Sequence, residues 1–336
     1  MKKTSQTFFL LLFIGVILIA LFAVTRVIAP AVEPTSTSAP LRKVRLPVGY
    51  IPNVQFAPIY VAIEKGYFRD AGLDVAIDYS MENDNTVLTA TGDLQFAVVS
   101  GEQVLLARAQ QMPVVYVMAW YQQYPVGIAA KKSAKINTVE DLRGRKIGLP
   151  GLYGASYIGA IALLDSAGLK EADVKLDSIG FTQVESLIAD RDEAVVIYVA
   201  NEPVQLERLG EEITLLRVAD AVDLVANGII TNEMTLQKDP ELVRSMVTGM
   251  IKGIQYTIDH PEEAFEISKK YVENLASADQ EMQMQVLLNS IALWRDDRLG
   301  YSQPQAWENM QRILLKMGLL KDELDLSKVY DNQFIP

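Results

Sequence analysis

The stretch VRLPVGYIPNVQFAPIYVAIEKGYFRDAGLDVAIDY, residues 44–79, holds the repeating unit of the fold. Val44 to Tyr50 is a short apolar run that reads as a strand, and Pro52-Asn53 breaks it into a loop. From Ala57 to Lys65 the apolar spacing becomes that of a helix, Gly66 and Gly72 mark a turn, and Leu73 to Tyr79 is a second strand. A strand, a helix and a strand in succession make the unit from which parallel sheets are built.

The same alternation continues toward the C-terminus. Asn85 to Thr91 predicts a short helix that Gly92 ends, Leu94 to Val99 a third strand, Glu102 to Gln110 a helix, and Pro113 to Ala119 a strand. It restarts with strands at Arg145 to Leu149, Val174 to Ile179, Ala194 to Val199 and Leu215 to Val218, with helices at Ser156 to Ala167 and Gln183 to Ala189. Two α/β units are expected, each with a mostly parallel sheet covered on both faces. Beyond Pro240, four segments carry helical periodicity: Leu242 to Asp259, Pro261 to Asn274, Asp279 to Leu293, and Gln303 to Met317. No fixed-period repeat is present, which sets solenoids aside.

Composition narrows the chemistry. With 336 residues, half of them hydrophobic, the chain can bury a large core. A formal charge of −11 excludes the basic face that nucleic acid binding needs. There is no cysteine and His260 is the only histidine, so disulfides, thiolate catalysis, cysteine or histidine zinc sites and a Ser-His-Asp triad are all excluded. No metal and no cofactor are expected. His260 precedes Pro261-Glu262-Glu263, a helix-start sequence, and is expected to be structural.

At the other end, Lys2 and Lys3 precede the uncharged stretch Phe8 to Val24, close to the span of a bilayer. Val27-Ile28-Ala29 followed by Pro30 makes a poor cleavage site, so residues 1–29 are read as an uncleaved membrane anchor in preference to a signal peptide, with the remainder outside the cell. Residues 30–40, PAVEPTSTSAP, read as a semi-extended linker. The folded part is expected from Leu41.

The run Tyr50-Ile51-Pro52-Asn53-Val54-Gln55-Phe56-Ala57-Pro58-Ile59-Tyr60, with Glu64-Lys65-Gly66-Tyr67-Phe68 and Ala71-Gly72-Leu73-Asp74-Val75 after it, resembles the opening of the type II periplasmic substrate-binding proteins of the thiamine-precursor, nitrate, taurine and sulfonate branch. Gly92-Asp93-Leu94-Gln95-Phe96-Ala97, Leu142-Arg143-Gly144-Arg145-Lys146-Ile147-Gly148 and Asp259-His260-Pro261-Glu262-Glu263-Ala264 agree with it. The resemblance spans Val44 to about Met317. It implies a two-lobed fold in which lobe 1 comprises 41–128 and 224–336 with the C-terminal helices packed back on it, and lobe 2 comprises 129–223. Crossings are expected near Ala119 to Gly127 and Asp223 to Thr231, with ligand in the cleft between lobes. It further implies a monomeric, non-enzymatic receptor that delivers a small molecule to an ABC permease in the cell membrane.

Ligands of open α/β sheets sit beyond the carboxyl ends of the strands, where several loops here carry polar groups. Asn53, Gln55 and Phe56 follow the first strand, and Ser100 and Glu102 the third. Tyr153, Ser156 and Tyr157 open a helix of lobe 2, and Tyr198, Asn201 and Glu202 follow a strand there. Trp120, Tyr121 and Tyr124 lie at the first crossing. None of these loops brings a Lys or Arg, as a sulfonate or nitrate site would need; rings that stack on a flat heterocycle, with amides and carboxylates for its edge, are present instead.

Two ligands fit this description. The anchored, cysteine-free layout and tyrosine-rich cleft look closest to the branch's riboflavin receptors, and riboflavin is the chosen ligand; a thiamine pyrimidine precursor of the formylaminopyrimidine type is the alternative. Pyrimidine synthases of the same fold use histidine and cysteines for their chemistry; this chain has no cysteine, and its one histidine, His260, is expected to be structural. A membrane-tethered sensor would continue into a cytoplasmic domain, and only Met1 to Thr7 precede the apolar stretch.

Overall fold

The computed structural model describes residues 40–336, so the expected anchor and nearly all of the linker lie outside the described residues. Among the described residues no helix is long and apolar enough to cross a membrane.

The strands in chain order are β1 (Arg42–Val48), β2 (Leu73–Tyr79), β3 (Ala97–Val99), β4 (Val114–Ala119), β5 (Val126–Lys131), β6 (Lys146–Leu149), β7 (Lys175–Ser178), β8 (Ala194–Tyr198), β9 (Ile213–Arg217) and β10 (Gly228–Asn232). They form two five-stranded sheets, ordered β2-β1-β3-β10-β4 and β7-β6-β8-β5-β9. In the first, β1 runs parallel to β2, with Arg42 opposite Leu73 and Val48 opposite Tyr79, and parallel to β3. In the second, β6 runs parallel to β7 and β8.

The expectation of mostly parallel sheets is corrected by β5 and β10. Each lies antiparallel to both of its neighbours, β5 to β8 and β9, and β10 to β3 and β4. These are the segments in which the chain enters one sheet from the other. VGIAAK and GIITN are buried almost throughout, so neither shows the in-and-out alternation by which a strand is recognised. β5 already belongs to the second sheet at Val126, ahead of the expected start of lobe 2 at Ala129.

The third strand is shorter than expected because Leu94 N–H bonds back to Leu88 O, holding that residue in the turn after Gly92, whose φ of +87° ends the helix Glu82–Thr91. The segment expected as helix through Asn274 stops at Ser268, and Asn274 takes a left-handed φ of 62°.

In the C-terminal third, helix 240–259 starts at Asp239, whose carboxylate caps Leu242 N–H, and packs on helix 57–64. Helix 280–294 touches the turn Val54–Phe56 and also helix 202–208, while helix 304–316 touches helices 101–109 and 154–166. The C-terminal helices therefore contact both lobes, where packing on the first alone was expected. Arg208 pairs with Asp279 at 2.7 Å, and Lys316 with Asp165. His260 joins helices 240–259 and 261–268 with its ring against Tyr256 at 4.4 Å between centroids, a structural position.

Candidate functional site

The carboxyl ends of β1 to β4 and of β6 to β8 surround one space of about 1150 Å³, part of it open to solvent. Loop backbone leaves a parallel strand at this end, so side chains there face a neighbour only where two lobes meet.

Nine of the residues anticipated from the sequence line it. Gln55, Phe56, Trp120 and Tyr121 do so from the first lobe, and Tyr153, Ser156, Tyr198, Asn201 and Glu202 from the second. Five do not. Asn53 caps the turn Val54–Phe56, its side-chain oxygen accepting from Gln55 N–H at 3.0 Å. Ser100 and Glu102 are wholly buried behind the wall. Tyr124 donates to Ala155 O at 2.9 Å and packs on Gly159, where a Cβ would lie 2.8 Å from its ring. Tyr157 donates to Glu171 at 2.7 Å, at the lobe surface.

Other lining residues were not anticipated. Met81, Glu82 and Asn83 follow β2, and Phe181 and Gln183 follow β7, so the strand-end rule applied to those two strands would have found them. Asn227 precedes β10, a strand not recognised, and had no such signal. Tyr50 holds a left-handed φ of 77°, costly for a residue with a side chain, and its ring meets Phe181 of the second lobe edge-on at 5.4 Å. Both rings are exposed at the mouth. The adjacent Gly49 has no room for a Cβ, which would come 2.8 Å from the Glu82 side chain.

The lining contains no Lys, Arg or His; its charged groups are Glu82 and Glu202. Glu82 accepts from Asn227 Nδ2 at 2.9 Å and from Ser100 N–H at 3.0 Å, and Glu202 from Tyr198 N–H at 3.0 Å. Burial pushes the Glu202 carboxyl up to about 7. Behind the wall, Ser100 Oγ lies 2.8 Å from Glu82 and also within reach of Glu102. One hydroxyl has one proton to give, so both carboxyls cannot accept it. Burial raises both carboxyls, Glu102 to about 7 with Glu82 nearby. Glu82 already accepts from Ser100 N–H and Asn227 Nδ2, as a carboxylate does, so Ser100 Oγ donates to it and Glu102 is the group that holds a proton and donates to Ser100.

A stability prediction follows from the sign of that shift. Between the usual 4.5 and about 7 the folded chain keeps a proton on Glu102 that the unfolded chain has released. This stabilisation is complete below 4.5 and is lost as pH rises through about 7, a change on the order of 1–3 kcal/mol. Glu102→Gln cannot titrate. The unfolding free energy of the variant relative to wild type is expected to shift in the variant's favour from pH 4.5 to 7.5 in urea titrations, and a difference constant over that interval would contradict the assignment.

Rings form much of the remaining wall. Trp120 lies 5.9 Å from Phe56, 5.8 Å from Tyr121 and 5.9 Å from Trp294 between centroids. Among the described residues no cluster of three or more His, Asp or Glu is placed to hold a metal ion.

A family model described as NMT1/THI5 like matches residues 53–264. The riboflavin-binding protein RibY of Chloroflexus aurantiacus is 39% identical over 320 residues, covering 91% of each chain. The 4-amino-5-hydroxymethyl-2-methylpyrimidine phosphate synthase of Legionella pneumophila is 25% identical, covering 88% of this chain and 92% of its own. Among solved structures, the periplasmic aliphatic sulphonate binding protein SsuA of Escherichia coli superimposes with a TM-score of 0.70 at 12% identity, over 87% of this chain and 93% of that one. At that identity the likeness is one of fold: two α/β lobes of the periplasmic-binding-protein type.

Proposed function

Since the chain belongs to the NMT1/THI5-like family, we propose that it is the extracytoplasmic substrate-binding component of an ABC importer, that its ligand is riboflavin, and that residues 1–29 tether it to the membrane. The observation that carries the ligand class is the character of the cavity: aromatic walls, amide and carboxylate edges, and no cation among its lining residues. An anion held there would face Glu82 and Glu202 with no compensating charge, which disfavours the sulfonate chemistry of the structural neighbour. A flat neutral heterocycle can stack between the rings and hydrogen-bond at its edge.

Catalysis is disfavoured by what the chain would have to use. Relatives include synthases, but this chain has no cysteine and its single histidine lies on the surface between two helices. Closure of the lobes over ligand by a hinge at the two crossings, residues 120–125 and 218–227, completes a receptor cycle without covalent chemistry.

Riboflavin is expected to bind the purified protein one to one with quenching of its emission, because the isoalloxazine ring enters a cavity walled by Trp120, Tyr121 and Tyr198. Unchanged emission at micromolar protein, together with saturable binding of an aminopyrimidine, would transfer the assignment to a thiamine-precursor receptor.

A further inference from the structure

Two donors in the wall of the cavity have no partner. Gln55 is 6% exposed and Trp120 is 1% exposed, both line the cavity, and neither Gln55 Nε2 nor Trp120 Nε1 has an acceptor. Leaving one buried N–H unpaired is costly and uncommon; two on one cavity wall are a pattern. Both belong to the first lobe, Gln55 in the turn after β1 and Trp120 at the end of β4. The carboxylates that line the cavity are engaged by other groups: Glu82 by Ser100 and Asn227, and Glu202 by Tyr198.

On the reading of this cavity as a flavin site, we infer that Gln55 Nε2 and Trp120 Nε1 donate to carbonyl oxygens on the edge of the ligand ring, so that the site selects a ring-fused imide over an aminopyrimidine. An imide edge presents acceptor, donor, acceptor. An aminopyrimidine edge presents an exocyclic amino donor beside a ring-nitrogen acceptor, and against a pair of fixed donors it sets N–H against N–H. A site with buried hydrogen-bonding groups rejects the analogue that leaves them unpaired far more steeply than an apolar slot rejects a change of shape. Gln55 and Trp120 are thereby specificity-determining residues, and the rings that surround them supply stacking that any flat heterocycle would enjoy.

The test uses the full chain and three ligands: riboflavin, 2-thioriboflavin and 4-thioriboflavin, in which one carbonyl at a time becomes a weaker acceptor. Riboflavin is titrated by its emission against wild type, Gln55→Leu and Trp120→Phe, and each thio-analogue by its displacement of bound riboflavin. The larger sulfur weakens binding in wild type and variant alike, so the change in the riboflavin to thio-analogue affinity ratio between wild type and variant reports the hydrogen bond. Wild type is expected to prefer riboflavin over at least one analogue by about tenfold, and Gln55→Leu to lose about tenfold in riboflavin affinity while levelling that preference. Trp120→Phe is expected to level the preference against the other analogue. Riboflavin binding with the same ratios in wild type and both variants would overturn the donor assignment while leaving the flavin reading intact. Failure of wild type to bind riboflavin at all would overturn that reading and the inference with it.

Discussion

Tyr198→Ala is expected to weaken riboflavin binding by about 1–3 kcal/mol, roughly 5- to 150-fold in Kd, with the thermal midpoint of the ligand-free protein shifted by only a few degrees. Tyr198 ends β8 at its carboxyl end, is half-buried, and lines the cavity from the second lobe. Its hydroxyl lies 3.3 Å from Asn227 Oδ1, and Asn227 also donates to Glu82, so the ring stands where a strand end of one lobe meets the returning chain of the other. Removing it opens one wall to water and deletes a stacking surface, while the strand beneath stays paired with β5 and β6. Tyr198→Phe keeps the ring and should retain most of the affinity. An unchanged Kd in Tyr198→Ala, measured by emission titration, would remove this residue from the contacts.

Gly253→Val acts on folding. Gly253 lies in helix 240–259 where that helix crosses helix 57–64, and a Cβ there would come 2.2 Å from Pro58 O and 2.9 Å from the Ala62 Cβ. The nearest obstacle is backbone, which cannot swing aside as a flexible side chain can. The helices must separate, and the core they share, including Ile59, Met250 and Ile254, loses close packing. A loss of about 3 kcal/mol or more is expected in urea unfolding. Because helix 57–64 begins directly after the turn that presents Gln55 and Phe56, ligand affinity should fall with stability. A loss below about 1 kcal/mol would show that the two helices are not fixed at this distance.

Much of this architecture was legible in residues 44–79 because each element there obeys one period and Gly49, Pro52, Gly66 and Gly72 mark the turns between them. β2 was read at its observed limits and helix 57–64 to within a residue of its end, and the four C-terminal helices were found from periodicity. β5 and β10 were not, since each lay wholly or partly in a stretch read as a crossing, whereas β4, equally buried, was found because Pro113 bounds its apolar run. The same blindness hid Asn227.

Within the site, loop position brought out Gln55, Phe56, Tyr198, Asn201 and Glu202, because a strand end fixes where the following residues emerge. It could not separate the residues that face the cavity from those one turn behind it. Ser100, Glu102 and Gln103 all sit at the start of helix 101–109, yet Gln103 lines the space and Glu102 points into a buried hydrogen-bonded chain with Ser100 and Glu82. Tyr124 likewise has the composition of a stacking ring and the position of a core residue. Which side of a loop a side chain occupies depends on helix rotation, and that is settled by packing between elements far apart in sequence.

A crystal of the protein grown with riboflavin tests the site directly through its electron density. The isoalloxazine ring is expected between the two lobes against Trp120 and Tyr198, with its carbonyl edge toward Gln55. Density showing the cleft filled by water alone at saturating riboflavin, or flavin bound elsewhere on the surface, would contradict this placement.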